Sequence, residues 1–224
     1  MKSQTQGSQY LLRAAVNRRP ELLCAALRAC GALGPREVVE WHSPLPKKYK
    51  EFRDGAAVRA LGLENKIKAP LAAFWPSRGP VWDALGTSSD VRPILVEAKA
   101  HIPEAVSRVK ASSTTSIKRI EKSLTLARKH YTRKSEADWS APFYQYANRL
   151  AHQFWLRELN GISSSLVFLC FTNAKDMNGP STDEEWHGAL RLIHAVLGLP
   201  AELRGEGVHH AFLDARLLSD LRSL

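Results

Sequence analysis

Two neighbouring stretches decide the predicted fold: Val81-Trp-Asp-Ala-Leu-Gly86 and, after a polar link, Arg92-Pro-Ile-Leu-Val-Glu-Ala-Lys-Ala-His101. The second is an apolar, β-prone run that passes directly into Glu97-Ala98-Lys99. Strand side chains alternate between two faces, so Glu97 and Lys99 share one face with Leu95 and His101. Asp83 interrupts the first apolar run. We therefore expect two carboxylates and a lysine at the edge of one sheet.

This grouping of charges has a chemical interpretation and a simpler structural one. Burying charges without partners is expensive, which favours a metal ion, an ion pair or an exposed cleft. Two carboxylates can hold a divalent cation and position water. Alternatively, Glu97 and Lys99 form a surface pair worth about 0–1 kcal/mol, and Asp83 begins a turn with Gly86.

The charge balance indicates a polyanionic partner. Lys and Arg number 32 against 22 acids, giving a formal net charge of +10. Nucleic acid is the first candidate and an anionic membrane surface the second, because net charge governs association rather than fold. A basic surface could also serve solubility alone. The 224 residues and 44% hydrophobic content are typical of one globular domain, with an appended helical segment as an alternative.

The cysteines and the N-terminus favour the cytoplasm. Cys24, Cys30 and Cys170 show no Cys-x-x-Cys spacing and are expected to be reduced. No apolar run approaches the roughly 18 residues of a membrane span, and residues 1–9 are too polar for a signal peptide. The histidines are scattered without the spacing of a zinc site.

The first half of the chain predicts helices followed by a meander of strands. Residues 1–46 read as an N-terminal helical extension outside the core fold, with a helix that breaks at Pro20. The expected elements in order are a helix over Tyr10–Leu33, a short strand over Arg36–His42, a helix over Lys47–Leu63, and strands over Leu71–Trp75, Val81–Leu85 and Arg92–His101.

The second half predicts helices alternating with buried strands. Pro103-Glu104 suits a helix N-terminus and opens a basic helix that runs to about residue 130, with a break at Ser112–Thr115 as an alternative. The expected elements that follow are an aromatic helix over Pro142–Leu159, a strand apolar on both faces over Leu166–Phe171, a helix from Thr182 to Leu197 and an edge strand over Val208–Leu217.

The spacing of the acids and the order of elements resemble the PD-(D/E)xK nuclease superfamily, also called restriction-endonuclease-like. Thirteen residues separate Asp83 from Glu97-Ala98-Lys99. The resemblance covers roughly residues 47–200, and Trp82 stands where the motif's name has proline. It implies an α/β fold with a central mixed sheet flanked by helices. The nuclease domain would span residues 47–224, preceded by the N-terminal helical extension.

The resemblance also implies roles for individual residues. Asp83, Glu97 and the carbonyl of Ala98 would bind Mg²⁺ or Mn²⁺, and Lys99 would orient or activate the attacking water. Many members add an acid from the helix before the sheet. Glu51 is the first candidate and Glu64 the second, although a glutamate in the position of Glu51 is more often a solvated helix residue.

The expected function is that of a metal-dependent nuclease hydrolysing DNA phosphodiester bonds. Cations of the basic helix would neutralise phosphates, and His101 could contact phosphate as well. A homodimer or larger complex would suit cutting both strands. The alternatives are an inactive nucleic-acid-binding protein on the same fold and an interaction protein with a protein or membrane partner. The expected phosphate-binding cations are Lys110, Lys118, Arg119 and Lys122.

Overall fold

Five strands form one mixed sheet in the order β1-β2-β3-β4-β5. The computed structural model describes residues 6–132 and 135–219. The first three strands pair antiparallel, and the last three pair parallel. The predicted α/β class with a central mixed sheet is therefore confirmed. The strands are Val39–Ser43 (β1), Ala84–Ser88 (β2), Pro93–Lys99 (β3), Ser165–Thr172 (β4) and Val208–Asp214 (β5).

Helices cover both faces of this sheet. One face packs against α1 (Ser8–Asn17), α2 (Pro20–Ala29) and α8 (Arg216–Ser219). The other packs against α3 (Asp54–Ala60), α4 (Leu71–Phe74), α5 (Thr114–Tyr131), α6 (Tyr144–Phe154) and α7 (Asp183–Leu197). A π turn at Trp155–Leu159 follows α6, and 3-10 turns lie at Glu64–Lys66, Ile102–Ala105, Lys175–Met177 and Arg204–Glu206. Within the described ranges, no helix combines the length and apolarity needed to cross a membrane.

The alternation predicted for β3 is confirmed. Ile94, Val96 and Ala98 pack towards α1 and α2, whereas Leu95 packs towards α5 and α6. Glu97 and Lys99 therefore project from the α5–α6 face, because they share the parity of Leu95. All eight residues of β4 are buried, as expected for a strand covered on both faces.

The predicted boundary at residue 46 is wrong, because residues before it belong to the sheet and its core. β1 pairs with β2 and forms one edge of the sheet, and α1 and α2 supply core side chains. Gly86 permits this pairing: a Cβ there would lie 2.5 Å from Cγ1 of Val39 and 2.9 Å from the carbonyl oxygen of Glu40. The N-terminal segment is thus one layer of the fold rather than an extension.

Three other predicted elements differ from the structure. Leu71–Trp75 contains the short helix α4 instead of a strand, since it follows Pro70 and includes two alanines with strong helix propensity. The helix predicted over Lys47–Leu63 is limited to α3.

The basic helix also begins later than predicted. Pro103 opens only a 3-10 turn, and the chain then runs extended, with Ser107 in a parallel bridge to Phe143 and the N–H of Val109 donating to the carbonyl of Ser140. The side chain of Ser113 caps α5 by accepting the N–H of Ser116. Pairing with residues 140–143 replaces the predicted first turns of the helix.

Candidate active site

The structure brings Asp83, Glu97 and Lys99 together at the carboxyl end of β3. Asp83 immediately precedes β2, whose first residue, Ala84, lies opposite Val96. The Oδ2 atom of Asp83 accepts the backbone N–H of Ala98 at 2.8 Å. The second carboxylate oxygen, Oδ1, receives no hydrogen bond from the residues that the structure describes. Sheet register thus places the two acids beside one another.

Glu97 is the centre of a buried ion network. Its side chain is only 2% exposed, and its Oε1 accepts a hydrogen bond from Nζ of Lys99. Its Oε2 accepts a hydrogen bond from Nε of Arg149 at 2.7 Å and forms an ion pair with Nη2 of the same guanidinium. Lys99 is also held by Oε1 of Gln145 at 3.3 Å. Two cations therefore neutralise one fully buried carboxylate.

Helix α6 supplies the residues that hold this network. Gln145 and Arg149 are one helical turn apart and lie on the same face. Arg149 also donates to the carbonyl of Val81 at 2.8 Å, and its guanidinium stacks 4.9 Å from the ring of Trp82. The arginine thereby ties α6 both to β3, through Glu97, and to the residues that precede β2.

The electrostatic environment distinguishes the two acids. Burial raises the pKa of Asp83 to about 7, helped by the charge of Glu97 and opposed by Lys99, the Ala98 N–H and Arg149. Burial alone would also raise the pKa of Glu97, but Arg149 and Lys99 outweigh it and lower that pKa. Burial would lower the pKa of Lys99, yet Glu97 and Asp83 raise it. Glu97 is therefore charged and Lys99 is a protonated donor, whereas Asp83, with its pKa raised to about 7, takes up a proton near neutral pH.

Of the two candidate third acids, only Glu51 reaches this region. Glu51 lines the same cavity as Asp83 and Glu97, and it accepts a hydrogen bond from Nε2 of Gln9 at 2.8 Å. Burial, together with the charge of Glu97, raises its pKa against the effect of Arg13. It lies in the loop before α3 rather than on a helix, which differs from the prediction. Glu64 is exposed in a 3-10 turn and does not line the cavity.

The acids lie in a cleft of about 1350 Å³. Its walls come from the start of α1, the loop at residues 75–81, the segment at 106–113 and the side of α6 that carries Gln145 and Arg149. The basic side chains along it, besides those on Glu97, are Arg78, Arg108 and Lys110. All three are exposed. A polyanion entering this cleft would meet cations around an acidic floor.

Only one of the predicted phosphate-binding residues lines the cleft. Lys110 lies there, in the extended segment before α5. Lys118, Arg119 and Lys122 are exposed on α5 but do not line it, and Arg119 donates to the carbonyl of Ala72.

His101 does not line the cleft either. Its Nδ1 lies 3.5 Å from Oε1 of Glu104, just past the end of β3. The strand ends at Lys99, so His101 does not continue the row of side chains that Leu95, Glu97 and Lys99 form.

The loop that carries Arg78 is held rigidly at the cleft rim. The carboxylate of Asp54 accepts the N–H groups of Arg78 and Gly79 at 3.0 and 2.9 Å. Asp54 and Arg78 both adopt positive φ, at 49° and 66°, a conformation that costs non-glycine residues energy. A Cβ at residue 79 would lie 2.7 Å from the Asp54 carboxylate, so any larger residue would have to displace that side chain. Strain of this kind is concentrated at functional sites.

Sequence reasoning missed Arg149, Arg78 and Arg108. A signal for Arg149 was present: polar residues recur along the aromatic helix at Gln145, Arg149 and His152, three or four positions apart, which indicates a polar stripe on a buried helix. Arg78 and Arg108 lie in irregular segments, where no periodicity points to a common cleft.

The donor set fits a hard divalent cation in part. Asp83 offers an oxygen without a donor among the described residues, and the carbonyl of Ala98 faces the same strand edge as its N–H. The raised pKa values of Asp83 and Glu51, each increased by Glu97, mark a region with excess negative charge. Against this, both oxygens of Glu97 already bind cations, and the three acids do not all bring oxygens within 4.8 Å of one another. Among these acids, Asp83 is therefore the strongest single candidate for a metal ligand.

Comparison with known proteins adds no family. No family model, no curated protein and no solved structure matches this chain. Its function must therefore be argued from the site itself.

Proposed function

We propose that this protein is a metal-dependent nuclease that hydrolyses phosphodiester bonds of DNA on a restriction-endonuclease-like domain. One observation carries the proposal: Asp83, Glu97 and Lys99 meet at the end of β3, on the floor of a cleft with a basic rim. The order of elements, with the aspartate before β2 and Glu-x-Lys on β3, supports the same reading.

Each side chain has a role that its environment supports. Asp83, Glu97 and the carbonyl of Ala98 would hold Mg²⁺ or Mn²⁺, which when bound activates water and neutralises charge on the phosphate. The raised pKa of Lys99 keeps it protonated, so it acts as a hydrogen-bond donor to water or phosphate rather than as a base. Gln145 fixes the position of its Nζ.

The exposed cations along the cleft would bind the substrate. Arg78, Arg108 and Lys110 lie on the walls of the cleft and can neutralise backbone phosphates without reading bases. The hydrogen bonds to Asp54 fix the backbone at Arg78 and Gly79, and so the point from which the Arg78 side chain extends, before substrate arrives. Binding should therefore tolerate different sequences and weaken with salt.

A second candidate is a nucleic-acid-binding protein on the same fold that needs no metal. The observation that favours it is the pair of cations on Glu97: Lys99 and Arg149 already compensate the most buried charge of the site. Such a protein would retain the basic rim and bind DNA equally well in a chelator.

Cleavage assays separate the two candidates. Labelled linear, circular and single-stranded DNA would be incubated with Mg²⁺, Mn²⁺ or EDTA, using wild type, Asp83→Asn and, as a matched control, Asp90→Asn in the exposed β2–β3 turn. The nuclease proposal predicts metal-dependent cutting that falls about 100-fold or more in Asp83→Asn, the usual effect of losing one preorganised charged group. Salt-sensitive binding without cutting by folded wild type would instead establish the binding protein.

A further inference from the structure

A second group of metal-binding residue types lies away from the cleft. His130, Glu158 and Glu206 each offer a ligand atom, and these atoms all lie within 4.8 Å of one another. No other three His, Cys, Asp or Glu residues in the described ranges meet that condition. They come from the last turn of α5, the π turn after α6 and the 3-10 turn before β5. Segments far apart in sequence thus converge at one point.

This cluster is independent of the candidate active site. Ser116 and Ile120, near the start of α5, line the cleft, whereas none of the three cluster residues does. His130 lies ten residues beyond Ile120, which corresponds to about 15 Å along a helix. A ligand here would therefore act on a different part of the fold.

A buried hydroxyl beside the cluster lacks a hydrogen-bond partner among the described residues. Tyr131 is 6% exposed, and its Oη has no hydrogen-bond partner among the described residues. The ring of Tyr131 packs edge-on against the imidazole of His130, with 4.9 Å between the two ring centroids, so this residue borders the cluster. Buried polar groups in folded proteins are nearly always paired with protein, water or an ion.

We propose that His130, Glu158 and Glu206 bind a divalent transition-metal ion, for which Zn²⁺ is the best match. Zinc accepts imidazole nitrogen and carboxylate oxygen, and three protein ligands leave a fourth position for water. That water would supply a partner for the hydroxyl of Tyr131. A metal ion at this site would link the C-terminal ends of α5 and α6 to the 3-10 turn that precedes β5.

A metal ion could replace the proton in the hydrogen bond that now joins His130 to Glu206. Nε2 of His130 lies 2.9 Å from Oε2 of Glu206, so the proton between them is replaced when the metal binds. The remaining imidazole proton then resides on Nδ1. The nearby guanidinium of Arg157 is directed at the carbonyls of Ser164 and Gly205 and does not bridge the two glutamates.

Zinc titration of the purified, chelator-treated protein tests the proposal. Affinity would be measured by competition with a chromophoric chelator, with thermal denaturation as a second readout and circular dichroism as a check of folding. Glu158→Gln is the main variant because Glu158 is exposed, and His130→Gln is the second. His187→Gln, at an exposed histidine elsewhere, and Asp83→Asn, in the cleft, serve as controls.

We expect one zinc ion that raises the unfolding temperature of wild type and of both controls. Its dissociation constant should increase at least about tenfold in Glu158→Gln and His130→Gln, since even indirect partners of a metal ligand contribute about that much. Equal zinc affinity in wild type and both cluster variants would overturn the proposal. So would zinc binding that disappears in Asp83→Asn alone, because the ion would then belong to the cleft.

Discussion

Replacing Arg149 by methionine removes one of the two cations that neutralise Glu97. Both partners are buried, with side-chain exposures of 5% and 2%. Removing one partner of a buried pair typically costs about 3–5 kcal/mol, because the other charge stays buried. Lys99 remains on Oε1, and Glu97 can take up a proton, so we expect about 3 kcal/mol, the lower end of that range.

Urea denaturation followed by circular dichroism measures this loss. With a slope of about 2 kcal/mol per molar, a loss of about 3 kcal/mol lowers the midpoint by about 1.5 M. Arg36→Met, at an exposed arginine, should change stability by less than about 0.5 kcal/mol. Adding Glu97→Gln to Arg149→Met should recover about 1–3 kcal/mol, since it removes the stranded charge.

A small change in stability on replacing Arg149 would contradict the proposed role of the ion network. A midpoint shift below about 0.5 M at unchanged slope would mean that Arg149 does not stabilise a buried Glu97 carboxylate. An additive double mutant would lead to the same conclusion, because interacting residues do not give additive changes.

The other predictions concern the acids and the rim. The pKa of Asp83 rises from 3.8 to about 7, so its contribution to stability is full below about pH 4 and is lost as pH rises through 7. In EDTA, Asp83→Asn should therefore abolish a loss of at most about 4 kcal/mol between about pH 4 and pH 8 in thermal denaturation; an unchanged profile would exclude this assignment. Glu51→Gln should slow cleavage about tenfold or more while the exposed Glu64→Gln does not, and equal rates would remove Glu51 from the site. Lys110→Gln should reduce the slope of log affinity for DNA against log salt by about 1, whereas Lys122→Gln, outside the cleft, should leave it unchanged.

The sequence predictions that the structure confirms were based on local patterns of residues. Ile94-Leu95-Val96 is predicted as a strand because it is a short, apolar run of β-prone residues. The run at 166–171 is predicted as an interior strand because it is apolar on both faces. Thr182 begins α7 as predicted, with its hydroxyl accepting the N–H of Glu185. Signals of this kind depend only on neighbours in the chain.

The predictions that differ from the structure depend on contacts between residues far apart in the sequence. Nothing within residues 36–42 shows that they pair with a strand beginning at Ala84, although Gly86 marks a place where two strands approach closely. The extended segment after Ile102–Ala105 is set by bonds to residues 140–143, which local propensity cannot reveal. Arg149 was missed for a similar reason, because the partner that buries it lies 52 positions away.

Crystals soaked in Mn²⁺ test the central claim most directly through the anomalous scattering of that ion. The account predicts a peak between the carboxylates of Asp83 and Glu97, next to the carbonyl of Ala98, which disappears in Asp83→Asn. A site without manganese, in which Glu97 still binds Lys99 and Arg149 at saturating metal, would contradict the nuclease proposal.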